Sequence, residues 1–108
     1  MTTAPPIAVA APHADAVDAA VAAVTDGGNA IDAALAAATA LAVVYPHQCG
    51  VGGDLIALVR RPGEDVVAVL SAGSAPAGID TDALAREARM PRQGAQTVTV
   101  PGAVAGWQ

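Results

Sequence analysis

Between Ala33 and Tyr45 the sequence AALAAATALAVVY runs thirteen residues with Thr39 the one polar side chain before the closing tyrosine, and Pro46 then breaks it. Asn29 stands ahead as an N-cap with Asp32 three residues on, so the spacing predicts a helix from there to about Val44. Ile31, Leu35, Leu41 and Val43 spread around the whole circumference of that helix, and alanines fill the rest. A helix that is apolar all round is buried all round. The run falls short of the roughly twenty residues that a bilayer span needs, so protein and not lipid has to cover it. Alanine buries little area per residue. Hydrophobic residues make up 54% of the chain, yet it has no Phe, one Trp and one Tyr, so few large side chains can do the covering. Such a helix packs against a bigger partner. The 108 residues read as one domain or less, a piece of something larger.

The flanking patterns define an α+β chain. Ile7 to Ala11 is a short apolar run that reads as a buried strand, ended by Pro12. From Ala14 onward, Val17, Ala20, Val21 and Val24 fall on one helical face, and Gly27 and Gly28 stop the helix. Asp54–Arg61 and Asp65–Ser71 flank Pro-Gly-Glu as the two strands of a hairpin. Thr81 to Met90 is a short helix that Thr81 or Asp80 can cap. Thr97 to Val100 reads as a strand, and PGAVAGWQ as a loop opening a further helix. There are no internal repeats.

Charge and cysteine content exclude several roles. The net charge is −5, with five Arg and no Lys, which argues against a nucleic-acid partner. One cysteine cannot form an internal disulfide, so nothing requires an oxidising compartment. The N-terminal MTTAPPIAVAAPHAD lacks the basic residues of a signal peptide. A cytoplasmic protein with no membrane association is the expectation.

The stretch YPHQCGVGGD (Tyr45–Asp54) is the densest in candidate chemistry. A phosphate loop needs a strand before it and a helix after it, because the helix N-terminus supplies the amide donors. Here the order is helix, glycines, strand, and no Lys follows. Gly50, Gly52 and Gly53 therefore read as a structural turn of tight backbone. His47 and Cys49, with the distant His13, match none of the usual zinc spacings, and neither a metal nor another cofactor is implied. Cys49 as a nucleophile has His47 near it in sequence but no third member to orient that base; the plain alternative is a small buried hydrophobe. Asp15, Asp18, Asp26 and Asp32 read as helix-terminal charges. Asp54 is either functional or a strand-start carboxylate that takes hydrogen bonds from loop amides.

The segment GGNAIDAALAAATALAVVYPHQCGVGGD (Gly27–Asp54) closely resembles the γ-glutamyltransferase family, with its Gly-Gly-Asn-Ala-Ile/Val-Asp-Ala-Ala, alanine-rich helix, Pro-His and Gly-x-Gly-Gly turn. VAAPHADA and VPGAVAGW (Val100–Trp107) are similar to further family segments, so the likeness runs from about residue 7 to the end. It implies part of an αββα sandwich of the N-terminal-nucleophile hydrolases, in which a precursor cleaves itself into a large and a small subunit. It implies a threonine nucleophile at the start of the small subunit, with its own α-amine as base and glutathione-type γ-glutamyl donors. None of Thr25, Thr39, Thr81, Thr97 and Thr99 occupies that place, so the resemblance gives residues 1–108 no catalytic centre of their own. The family sets an arginine near the Ala-Pro that follows the hairpin, where it pairs with the substrate's α-carboxylate. The corresponding stretch here is LSAGSAP, and the two ways of anchoring it put Ala72 or Ser74 at the arginine's place. That departure fits a divergent, acylase-like branch acting on another amide. The implied partners are the rest of the large subunit and the small subunit. A non-catalytic module that self-associates through its Ala-rich helix, or a decayed remnant, is the competing reading. Without further strands the hairpin lacks a covering layer, and a molten or self-associating chain is expected.

Overall fold

Two helices form because their ends are chemically marked. In the computed structural model, which describes residues 6–108, α1 spans Ala14–Thr25 and α2 spans Ala30–Val44. His13 is extended, and its Nδ1 accepts the Asp15 amide at 3.2 Å to cap α1. At the other end Gly27 takes φ +99°, the left-handed conformation that glycine adopts without a Cβ penalty. The Gly27 amide then donates to the Val24 carbonyl at 3.0 Å and the Gly28 amide to that of Ala23 at 2.9 Å, the crossed pair of a Schellman cap. A Cβ on Gly28 would lie 2.9 Å from that of Asp32, so this second glycine is needed for space. Asn29 and Asp32 cap α2 reciprocally: Asn29 Oδ1 accepts the Ile31 amide at 2.7 Å, and Asp32 Oδ2 accepts the Asn29 amide at 2.7 Å.

The helices pack side by side around Ala20, Val24 and Ala33, with Ile7, Val9 and Ala37 against them. The expected strand at Ile7–Ala11 has no assigned secondary structure, and no strand pairs with it among the described residues. Its alternate residues Ile7 and Val9 are half-buried and serve the helical core. The expectation that α2 is buried all round also fails: Ala33 is its one buried residue among those described, while Val43 is 77% exposed and Ile31 43%. Helix α1 and the Ile7–Val9 segment pack on part of it, and an open cleft separates another side from the hairpin.

Strands β1 (Leu55–Arg60) and β2 (Val66–Ser71) pair antiparallel, from Leu55 opposite Ser71 to Arg60 opposite Val66. The turn is built by Pro62 followed by Gly63 at φ +78°, closed by the Glu64 amide on the Arg61 carbonyl at 3.1 Å. That is type II chemistry. One face, with Leu55, Ala57, Val59 and Val69, looks across an open apolar cleft at Ala34 and Ala38 of α2. On the other face Ile56, Leu58 and Leu70 stand 72–75% exposed.

The remaining elements are single turns. Helix α3 ends at Arg86, short of the expected Met90; Glu87 is already extended. It buries no residue, and one turn without packing does not propagate. The expected strand Thr97–Val100 begins instead as a 3-10 turn, Ala95–Thr97. Helix α4, Ala103–Trp107, follows Gly102 and packs on the hairpin. The chain is open as a whole: its radius of gyration is 17.6 Å, against about 13 Å for a compact domain of this length.

Candidate functional site

The open end of the β-hairpin, where the chain enters β1 and leaves β2, gathers three distant segments. Gly50 to Gly53 close a turn, with the Gly53 amide on the Gly50 carbonyl at 3.2 Å. The Gly53 carbonyl in turn accepts the Gly102 amide at 3.0 Å and the Ala103 amide at 2.8 Å, so it receives the first free donors of α4. Ser71 Oγ donates to the Gly102 carbonyl at 2.8 Å. The Val100 amide donates to the Ser74 carbonyl at 2.9 Å. Asp54 Oδ1 accepts the Gly73 amide at 2.9 Å.

Glycine is what permits this approach. A Cβ on Gly73 would run into the Val100 carbonyl, and one on Gly102 into that of Ser71. One on Gly106 would lie 2.7 Å from Leu55 Cδ2 and from Ser71 Cβ. By contrast, a Cβ on Gly50 or Gly52 meets open space, and on Gly53 its nearest neighbour is the Gly50 carbonyl at 3.4 Å. Backbone therefore meets backbone beside the dense glycines, through the Gly53 carbonyl, while the steric demand falls on Gly73, Gly102 and Gly106. Reading the sequence residue by residue missed those three, because no spacing rule links them; the motif-like PGAVAG signalled Gly102 and Gly106, and nothing signalled Gly73.

The other candidates are dispersed. His47 is exposed, its ring 4.2 Å from that of Tyr45 and tilted 54° to it. Cys49 is half-buried, not buried. No hydrogen bond joins Cys49 to a histidine among the described residues, and no group of three His, Cys, Asp or Glu in them could hold a metal. Asp15 lies in the first turn of α1 and Asp32 caps α2, where the helix dipole favours them, whereas Asp26 sits at the α1 C-cap, the unfavourable end. No described helix is long and apolar enough to cross a membrane.

Ala72 and Ser74 are both exposed, on either side of the Gly73 anchor. Arg60 and Arg61 stand at the opposite end of the hairpin, since Arg60 pairs with Val66 and Leu55 with Ser71. Five residues of strand separate the two ends by about 17 Å. Arg61 lies 3.8 Å from Glu64 across the turn. Neither arginine can stand in for a guanidinium at 72 or 74.

A helical hairpin set beside a two-stranded sheet, tied at the sheet's open end by backbone contacts, defines an α+β chain whose unusual residues are glycines rather than acids or bases. A family model described as Gamma-glutamyltranspeptidase matches residues 16–108, and the chain belongs to that family. Over 98 residues it is 43% identical to the oxamate amidohydrolase proenzyme of Klebsiella pneumoniae, covering 90% of this chain and 19% of that protein. It is 37% identical over 101 residues to the glutathione hydrolase-like YwrD proenzyme of Bacillus subtilis, covering 92% of this chain and 19% of that protein. Among solved structures, the gamma-glutamyltranspeptidase of Pseudomonas nitroreducens superposes with a TM-score of 0.81 at 30% identity, covering 97% of this chain and 32% of that one. The chain thus spans 19% of these curated relatives and 32% of this solved chain.

Proposed function

We propose that residues 1–108 are the N-terminal part of the large subunit of an amide-cleaving enzyme of this family, non-catalytic by themselves, whose nucleophilic threonine lies outside them. In that reading the threonine hydroxyl attacks the amide carbonyl and its α-amine carries the proton to the departing nitrogen. Water then releases the acid from the threonine ester. The chain supplies one helical layer and one sheet of an αββα sandwich. The bare face with Ile56, Leu58 and Leu70 is where the second sheet packs. The partners are the rest of the large subunit and the small subunit.

The substrate reading rests on one observation: the loop Ala72–Ser74 carries no guanidinium, and Arg60 and Arg61 stand at the other end of the hairpin. A hydroxyl at Ser74 cannot reproduce the bidentate, charged grip of arginine on an α-carboxylate. This favours a small amide other than a γ-glutamyl one, and similarity to a protein named for oxamate hydrolysis supports that class. The test is an assay of the complete protein on oxamate and on γ-glutamyl-p-nitroanilide, with the 108-residue chain in parallel. Turnover of oxamate by the complete protein alone is the expected result. Efficient γ-glutamyl transfer would refute the substrate class, and turnover by the short chain would refute its non-catalytic role.

A second reading, a non-catalytic module that self-associates, is favoured by the same bare apolar face. It predicts a defined oligomer of the short chain by size-exclusion and no activity in the complete protein.

A further inference from the structure

Among the described residues, the side-chain hydrogen bonds are nearly all local, joining residues two to four apart. Two are not: Asp54 to Gly73, nineteen residues apart, and Ser71 to Gly102, thirty-one apart. Both end on the stretch 71–73, whose neighbour Ser74 takes a third long-range bond at its carbonyl from Val100. The sheet ladder stops at Ser71 opposite Leu55, so the Gly73 amide has no strand partner. Asp54, one residue ahead of β1, supplies the acceptor instead. Its side chain is the acceptor in one of these three ties; the acceptors in the other two are main-chain carbonyls.

We propose that Asp54 is a positioning residue for substrate: it fixes the loop Ala72–Ser74 so that the Ser74 hydroxyl is presented to the bound amide. This rests on the reading above, in which that loop faces the substrate. Asp54 is exposed. Water competes for it, so its bond adds little to global stability, yet it settles where a three-residue loop sits. Binding and melting should therefore separate.

The experiment uses the complete, matured protein with Asp54→Ala, which removes the acceptor, and Asp54→Asn, which keeps an oxygen in its place. Losing one hydrogen bond of ordinary strength should raise KM for the amide about tenfold in Asp54→Ala with kcat within about twofold. Asp54→Asn should restore most of that loss, and the melting temperature should move little in either variant. Amide hydrogen exchange over 72–75 should lose protection in Asp54→Ala and keep it in Asp54→Asn. Unchanged KM in an active Asp54→Ala enzyme overturns the proposal, as does a kcat loss that tracks a fallen melting temperature. If the unmutated protein turns over no amide, the amide-hydrolase reading fails instead. The exchange data then decide the anchor alone, and unchanged protection at Gly73 would overturn that too.

Discussion

Replacing Gly102 by alanine tests how tightly the open end of the hairpin is built. The added Cβ would overlap the Ser71 carbonyl oxygen and lie 2.9 Å from the Gly73 nitrogen and 3.0 Å from the Ser71 carbonyl carbon. Non-bonded heavy atoms favour about 3.5 Å or more. All three obstacles are backbone, so no rotamer change relieves them, and α4 has to back away from β2. That movement stretches three bonds at once: Gly102 and Ala103 amides on the Gly53 carbonyl, and Ser71 Oγ on the Gly102 carbonyl. At about 1 kcal/mol each the loss is about 3 kcal/mol, a large part of a typical folding free energy. The same substitution at Gly50 or Gly52 meets open space, and neither residue has a positive φ. There it should be neutral or stabilising by about 0.5 kcal/mol, through a less flexible unfolded chain. Urea midpoints of the complete protein carrying each change would decide. If Gly102→Ala unfolds at the same midpoint as Gly50→Ala, the close approach described here is wrong.

Gly27→Ala forces a side chain into φ +99° and should cost about 1–2 kcal/mol, read as a lowered urea midpoint. Asn29→Ala removes the capping acceptor of α2 and should cost about 1 kcal/mol, visible in the same measurement. Arg61→Ala should leave the midpoint within about 0.5 kcal/mol, because an exposed ion pair with Glu64 contributes little. Leu58→Lys should make the isolated 108-residue chain more monodisperse by size-exclusion, because Leu58 is 75% exposed on the bare face. In the complete protein the same change should prevent soluble, matured enzyme from accumulating. The unaltered short chain should melt without a sharp transition, and a cooperative calorimetric peak from a monomer would overturn that expectation.

What was legible in the sequence follows the range of the interactions. Asn29 with Asp32, and Gly27 with Gly28, mark helix ends through contacts within five residues, and the structure places both helices where those residues put them. The hairpin was legible from Pro62-Gly63 and its aliphatic flanks for the same reason. Strand character at Ile7–Ala11 and Thr97–Val100 was not, because a strand is defined by a partner that the local pattern does not name. Burial of α2 was overestimated because apolar composition states what a helix needs, not whether the cover is present. The ties at 71–74 were the least legible. Two of the acceptors there, at Gly102 and Ser74, are main-chain carbonyls, which every residue has, so only Asp54 drew attention as a side chain.

Those ties also set how the loop and the bare sheet face depend on each other. The α1–α2 pair closes through a four-residue connection and local caps, so it needs little from the rest of the chain. The loop 71–74 is different: its partners lie nineteen to thirty-one residues away, and closing such distances costs entropy before any bond forms. No large side chain is fully buried among the described residues to offset that cost. Covering Ile56, Leu58 and Leu70 would contribute about 1.5–3 kcal/mol for each, more than any single hydrogen bond at the hairpin's open end. Whatever packs on the outer face therefore stabilises the strand pair whose far edge begins at Asp54 and ends at Ser71. The segment that meets substrate in our reading depends on that burial as well as on its own tie to Asp54.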